Sequence, residues 1–157
     1  PVAIRSKSGI VVKGIHDVAV RFSKCCSPVP GDEIVGFVTR GRGVSVHRTD
    51  CINIINLSEI ERARLIEAEW QGDAYETGEY FAEIKIYSHD RPGLLVDITR
   101  VFTEKTININ GIHSKTSKQG IATIEVSFNT KGRSQISKLV EKIRQIDSII
   151  DIERTRG

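Results

Sequence analysis

The sequence predicts an α+β protein of two small modules, the first rich in β-strands and the second alternating strands with helices. Its 157 residues are 39% hydrophobic and 27% charged, a composition typical of globular domains. Short β-branched runs separated by glycine and proline turns dominate residues 9–71. Two amphipathic helical stripes lie between strand-like runs in residues 79–157.

In the first module, residues 1–8 are polar and are expected to form a tail. Residues 10–12 are a short apolar run, and strands are expected at 18–22, 34–39, 43–47 and 65–70. Two prolines and a glycine make residues 23–32 a rigid loop. The segment Arg40-Gly41-Arg42-Gly43 is predicted to be a hairpin turn, and Asp50 is expected to cap a short helix beginning near Cys51.

Residues 72–78 are polar, contain glycine and lack periodicity. They are therefore predicted to be a linker between a first domain at 9–71 and a second domain at 79–157.

In the second module, a strand is expected to end near Ser88, with Asp90 as the N-cap and Pro92 in the first turn of a helix that runs to about Glu104. The remaining expected elements are strands at 107–116 and 121–128, a helical stripe at 136–146 and a strand at 149–152. The order is βαββαβ, the ferredoxin-like arrangement, in which two helices cover one face of an antiparallel sheet.

Charge is distributed unevenly along the chain. The whole chain carries +3, but residues 1–56 carry +4 and the remainder carries −1. A mildly basic first module is compatible with a nucleic-acid partner without requiring one. The asymmetry predicts that the two modules have different roles.

Membrane and secreted classes are disfavoured. No apolar run approaches the roughly 18 residues needed to span a membrane, and the first residues lack a signal-peptide layout. The odd number of cysteines, three, argues against a disulfide framework and favours a reducing, cytoplasmic setting.

Four soft or borderline ligands occur in the first module, which is the number that a structural zinc site uses: Cys25, Cys26, His47 and Cys51. Against zinc, adjacent cysteines differ from the usual Cys-x2-Cys spacing. The cysteines could instead be small buried hydrophobic residues beneath the proline loop, or could have a redox role. The residues alone leave these three interpretations open.

Basic residues surround the same region: Lys24, Arg40, Arg42, His47 and Arg48. Arginines on a glycine-rich hairpin can contact RNA phosphates and stack on bases, although a solvated charged hairpin has the same pattern. The sequence shows no aromatic stacking platform beside them, which disfavours a generic RNA-recognition module.

The run from Lys24 through Pro28 and Pro30 to Asp32, joined to the Arg40–Gly43 turn and to Cys51, resembles the C-terminal part of long RelA/SpoT-type alarmone synthetase/hydrolases. In that family this segment is the zinc-finger-like or ribosome-intersubunit module, and an ACT domain follows it. Here Asp90-Arg91-Pro92-Gly93-Leu94-Leu95 resembles the ACT loop-helix motif.

The resemblance implies a regulatory, non-catalytic fragment of a stringent-response enzyme that makes and hydrolyses (p)ppGpp. The catalytic domains of that enzyme would lie upstream and would use Mg or Mn. For the present chain, the expected cofactor is at most a zinc ion in the cysteine–histidine cluster. The resemblance also implies that the basic residues contact ribosomal RNA, with deacylated tRNA in the A site, and that the signal passes in cis to those catalytic domains.

For the second module, the resemblance implies a branched-chain amino acid bound near a strand-to-helix turn. The candidate residues are Asp90, Arg91, Gly93, Leu94, Asn108 and Asn110. Alternatively, the Asp-x-Pro pattern only starts a helix. Exposed strand edges would also allow a homodimer.

Overall fold

The computed structural model describes residues 9–13, 18–72 and 78–157, and these form two compact units. The first unit comprises the described residues up to Gly78 together with Arg156 and Gly157, and the second spans Glu79–Thr155. The first unit contains β1 (Ile10–Val12), β2 (Val20–Phe22), β3 (Ile34–Thr39), β4 (Gly43–Arg48), α1 (Ile52–Ile55), α2 (Glu59–Arg62), β5 (Leu65–Ile66) and β6 (Ala68–Trp70).

The sheet of the first unit has the order β2-β4-β3-β5, in which β2 runs parallel to β4 and the other pairs are antiparallel. Strands β1 and β6 form a separate antiparallel pair. Alternation along β4 turns Val44 and Val46 into one core, which β1 and β6 complete. The ring of Trp70 stacks on Phe22, with centroids 5.7 Å apart.

Two expectations for the first unit are wrong. The run 65–70 is two strands, because the chain changes partner at Glu67: β5 pairs with β3, and β6 pairs with β1. Asp50 does not cap α1, whose N-cap is Cys51. Its carboxylate instead lies 2.6 Å from the guanidinium of Arg48, and this stronger charged partner takes the place of the helix N-terminus.

The second unit confirms the predicted βαββαβ order. Its elements are β7 (Tyr80–His89), α3 (Leu94–Glu104), β8 (Ile109–Thr116), β9 (Ile121–Thr130), α4 (Arg133–Arg144) and β10 (Ile149–Arg154). The antiparallel sheet has the order β10-β7-β9-β8. Alternate residues of β7 and β9 are buried, and the ring of Phe102 from α3 meets Phe128 of β9 edge to face at 5.4 Å. Together with the first unit, this confirms the α+β class.

The predicted start of α3 is wrong. Its N-cap is Gly93, with φ +80, rather than Asp90. The N–H of Asp90 donates to the carbonyl oxygen of Gly120 at 2.9 Å, so the chain is still bound to the β8–β9 turn at this point. The helix can therefore begin only after Pro92, where glycine supplies the left-handed conformation at low cost. Among the described residues, no helix has the length and apolar character needed to cross a membrane.

The hairpin between β3 and β4 offers a matched pair of glycines for a stability test. Gly41 and Gly43 both have positive φ, +73 and +80. A Cβ on Gly41 meets no described atom within 4 Å, whereas one on Gly43 collides with the carbonyl oxygen of Ala19. We expect Gly41→Ala to cost about 1 kcal/mol and Gly43→Ala about 3 kcal/mol or more.

Urea unfolding followed by tryptophan fluorescence checks this prediction, because Trp70 is the only tryptophan of the chain and lies in the first unit. Equal destabilisation of the two variants would contradict the backbone collision. The melting of the second unit, followed by circular dichroism, serves as the internal control.

Candidate functional site

The four predicted metal ligands come together in the first unit. One ligand atom from each of Cys25, Cys26, His47 and Cys51 lies within 4.8 Å of all the others. The Cys25 sulfur is 3.4 Å from the Cys51 sulfur and 3.4 Å from Nδ1 of His47. It lies 4.0 Å from the Cys26 sulfur, which is 3.9 Å from the same nitrogen.

These distances and donor types fit a tetrahedral zinc ion. With Zn–S bonds of about 2.3 Å, sulfurs around such an ion are about 3.8 Å apart. Three thiols and one imidazole also favour zinc over cations that prefer oxygen ligands, such as Mg²⁺ and Ca²⁺. The cluster could therefore hold a metal ion.

The unusual spacing of the adjacent cysteines does not prevent their sulfurs from approaching one another, because the chain forms a tight turn at that point. The N–H of Ser27 donates to the carbonyl oxygen of Ser23 at 3.0 Å, and Ser27 has a φ of +46. Neighbouring side chains point to opposite sides of an extended chain, but a tight turn can bring them to one side. Cys25 and Cys26 share this turn, which the buried Pro28–Pro30 segment follows.

The interpretation of the cysteines as buried apolar residues also has support. Cys26 and Cys51 are 2% and 0% exposed, and they pack with Ile54 of α1. All three thiols are free. Packing alone, however, does not require three sulfurs to converge on one ring nitrogen.

Sequence reasoning missed Ser45, which lies two residues before His47 on the same face of β4. Its Oγ is 3.2 Å from Nε2 of the imidazole. If Nε2–H donates to this oxygen, Nδ1 carries the lone pair that faces the thiols, as in many metal sites. The period-two spacing along β4 is the signal that could have identified it.

Arg48 has a different position from the one expected of an RNA contact. It is only 6% exposed, and its guanidinium donates to the carbonyl oxygen of Cys26 at 3.2 Å and to Asp50 at 2.6 Å. Its backbone N–H also lies 3.3 Å from the Cys26 sulfur. Arg48 therefore holds the cysteine turn against the end of β4. Its guanidinium is not exposed for contact with RNA.

Burial shifts the acid–base behaviour of the cluster. It raises the pKa of Cys26 and Cys51, because burial penalises thiolates. Burial also raises the pKa of Cys25, but hydrogen bonds from Ser23 and neighbouring groups outweigh it, so the net pKa is lowered. Burial and the charge of Arg21 lower the pKa of His47, which favours the neutral imidazole that a metal needs.

The other basic residues lie at two ends of the sheet. Arg40 and Arg42 are exposed at the tip of the β3–β4 hairpin, which the Thr39 hydroxyl closes by donating to the carbonyl oxygen of Gly43 at 2.7 Å. Lys24 follows β2 at the opposite end, about 15 Å away along the strands. The structure therefore does not bring Lys24 together with the two arginines.

The candidate ligand residues of the second unit are also separated. Asp90, Arg91, Gly93 and Leu94 lie at the end of β7, where His89 pairs with Ile121. Asn108 and Asn110 lie beside Phe128, which pairs with Ile109 about 24 Å farther along β9.

Both groups of the second unit are also engaged in other contacts. Arg91 is bound to Asp97 at 2.7 Å, and the amide of Asn110 donates to Asn129 at 2.9 Å. Within one chain, the two groups cannot contact the same small ligand.

Known protein families match the sequences of both units. The family model of the RelA/SpoT RIS domain matches residues 10–71, and that of the ACT domain matches residues 76–154. A crystal structure of the ACT domain from GTP pyrophosphokinase of Chlorobium tepidum covers 49% of this chain and 99% of that chain, with 27% identity and a TM-score of 0.44.

Curated relatives align over almost the whole chain. GTP pyrophosphokinase of Streptomyces coelicolor is 39% identical over 93% of this chain, and that of Escherichia coli is 36% identical over 98%. The matched region is only 17% and 21% of the two relatives, so the chain spans about a fifth of their length and matches their regulatory C-terminal region. The chain therefore belongs to the RelA/SpoT family and carries that family's RIS domain followed by its ACT domain.

Proposed function

We propose that the first unit binds ribosomal RNA and thereby brings a RelA/SpoT protein to the ribosome in the cytoplasm, where it reports deacylated tRNA in the A site to the catalytic domains. The carrying observation is the pair of exposed arginines on a closed hairpin. Neither Arg40 nor Arg42 has an acidic partner among the described residues, so their charges are available to phosphates. The RIS and ACT matches support a regulatory role for this region.

In this proposal, zinc is the structural ion of the first unit. Bound by Cys25, Cys26, His47 and Cys51, it would supply a cross-link between the cysteine turn, the end of β4 and the start of α1. These residues hold the sheet on which the hairpin is built. The domain limits proposed for the two parts are residues 9–71 and 79–157, with residues 72–78 as linker and 1–8 as tail.

A second function is proposed for the ACT domain, namely binding of a branched-chain amino acid at the Asp90–Leu94 turn. The observation that favours it is the start of α3, where Gly93 provides no side-chain cap for the first N–H groups of the helix. Such N–H groups can hold a carboxylate. The exposed Leu95 supplies apolar surface at the same turn.

We expect the double variant Arg40→Glu/Arg42→Glu to bind ribosomes at least about tenfold more weakly, because two attractive charges facing phosphates become repulsive. Co-sedimentation of the chain with purified ribosomes over a range of salt concentrations measures this. The salt dependence should also become shallower, by about one unit of slope for each phosphate that an arginine no longer neutralises.

The control for the hairpin variant is Lys115→Glu/Lys118→Glu, which makes the same charge change on exposed residues of the second unit. This variant should bind like the parent chain. Equal weakening of ribosome binding by both variants would show a general charge effect and would contradict the hairpin proposal.

We expect one equivalent of zinc in the purified chain and its loss in His47→Ala, whereas His113→Ala, at an exposed position of β8, should retain the ion. Elemental analysis measures this. Because binding needs deprotonated thiols and burial raises the pKa of Cys26 and Cys51, zinc affinity should fall as pH falls.

A chelator should lower the unfolding midpoint reported by Trp70 and leave that of the second unit unchanged. A zinc-free chain whose Trp70 transition is insensitive to chelator would instead favour the cysteines as apolar packing.

We expect valine, leucine or isoleucine at millimolar concentration to raise the melting temperature of the second unit, because a ligand that binds only the folded state stabilises it. Differential scanning calorimetry measures the shift. Valinamide is the matched control, since it keeps the side chain but lacks the carboxylate that the helix start would bind. Equal shifts with both compounds, or no shift, would contradict the site.

A further inference from the structure

The sheet of the first unit has a partly exposed aromatic–arginine pair, Phe37 and Arg64, outside the cysteine–histidine cluster. The guanidinium carbon of Arg64 lies 4.7 Å above the ring centroid of Phe37. Nε of Arg64 donates to the carbonyl oxygen of Val38 at 2.9 Å, and the N–H of Val38 donates to the carbonyl oxygen of Arg64 at 2.9 Å. Both side chain and backbone of Arg64 are thus bound to β3, which fixes the plane of the guanidinium.

A second arginine lies on the same face of this sheet. Arg21 of β2 pairs with Ser45 of β4, which pairs in turn with Phe37 of β3, so the three side chains point to one side. Neighbouring strands are about 4.8 Å apart, which places Arg21 about 10 Å from Phe37 across the sheet. This face is opposite to the core formed by Val44 and Val46.

The charges on this face are available to a ligand. Arg21 is exposed and Arg64 is partly exposed, and neither forms an ion pair within the part of the chain that the structure describes. Glu61 is the acidic group within electrostatic reach of Arg64, but its carboxylate accepts hydrogen bonds from the hydroxyl and the N–H of Ser58, at 2.8 Å and 3.2 Å.

Such an arrangement suits an unpaired nucleobase. A planar guanidinium stacks well on aromatic rings, and its outer face can stack on a base in the same way. Bases within a duplex are already stacked on each other, so only an unpaired base can use the platform. A guanidinium about 10 Å away can then neutralise a neighbouring phosphate.

We propose that Arg64, supported by Phe37, is a stacking platform for an unpaired RNA base, and that Arg21 contacts the adjoining backbone. This inference rests on the proposed RNA binding of the first unit and names the kind of RNA that the unit selects. The sequence alone does not reveal this pair, because Phe37 and Arg64 are 27 residues apart and meet only in the fold.

The test uses the purified chain and two RNA probes with equal numbers of phosphates, a hairpin with 2-aminopurine in its unpaired loop and a fully paired duplex. The parent chain should bind the loop RNA more tightly and quench the 2-aminopurine, whose fluorescence falls on stacking. We expect Phe37→Leu and Arg64→Lys each to weaken loop binding about tenfold and to abolish quenching. Duplex binding and the salt slope should stay the same, since neither variant removes a charge.

Matched controls separate stacking from folding and from charge. Phe81→Leu makes the same change at a 48% exposed phenylalanine of the second unit and should behave like the parent. Trp70 fluorescence shows whether each variant has a folded first unit. If Trp70 fluorescence shows that the first unit of Phe37→Leu is unfolded, loop binding by Arg64→Lys alone tests the platform.

The outcomes are distinguishable. Equal binding of both probes by the parent chain, or unchanged loop binding in a folded Arg64→Lys variant, would overturn the platform. If Arg40→Glu/Arg42→Glu weakens ribosome binding while the platform variants do not, only the platform fails. If the parent chain binds neither RNA and Arg40→Glu/Arg42→Glu co-sediments with ribosomes like the parent, both proposals fail.

Discussion

The first unit depends on one strand that is packed on both faces. Along β4, Val44 and Val46 point into the core formed with β1 and β6, while Ser45 and His47 point to the side that carries the cysteines. Because side chains alternate along a strand, a shift of one residue in register would move the imidazole into the core and a valine into the cysteine–histidine cluster. The two ends of the same strand set the remaining features: its first residue closes the arginine hairpin, and its last residue, Arg48, clamps the cysteine turn.

The second unit shows how a sheet keeps candidate sites apart. Its long strands β7 and β9 pair over ten residues each, so the loop before α3 and the start of β8 lie at opposite ends. Side chains that look like one set along the sequence therefore face different surroundings. The turn at Gly93 combines helix N–H groups that lack a side-chain cap with the exposed Leu95, and the proposed amino-acid site lies at that end.

Local patterns predicted most of the fold, and partner choice explains what they missed. The βαββαβ order follows from periodicities of two and 3.6 within single segments, and the β3–β4 hairpin from its glycines. No local pattern shows that the run 65–70 is shared between two sheets, because the partners of β5 and β6 are distant in sequence. The convergence of Cys25 and Cys26 depends on a turn conformation at Ser27, a residue type without strong preference for positive φ. Nothing in the sequence distinguishes the roles of Arg48 and Arg64. In the fold, Arg48 is buried and bound to the cysteine turn, whereas Arg64 is partly exposed above Phe37.

The pairing of β1 with β6 has a consequence for the order in which the unit is assembled. Ile10 pairs with Trp70, so this contact closes a loop of about 60 residues, whereas all four cluster residues lie between Cys25 and Cys51. Loop-closure entropy grows with chain length, and pairings of long sequence separation are slow. During synthesis the cysteine cluster and the β3–β4 hairpin can therefore assemble before Trp70 has left the ribosomal tunnel, and the core behind β4 is completed last. Among the described pairings, β1 with β6 therefore forms last, after the cysteine–histidine cluster and the hairpin.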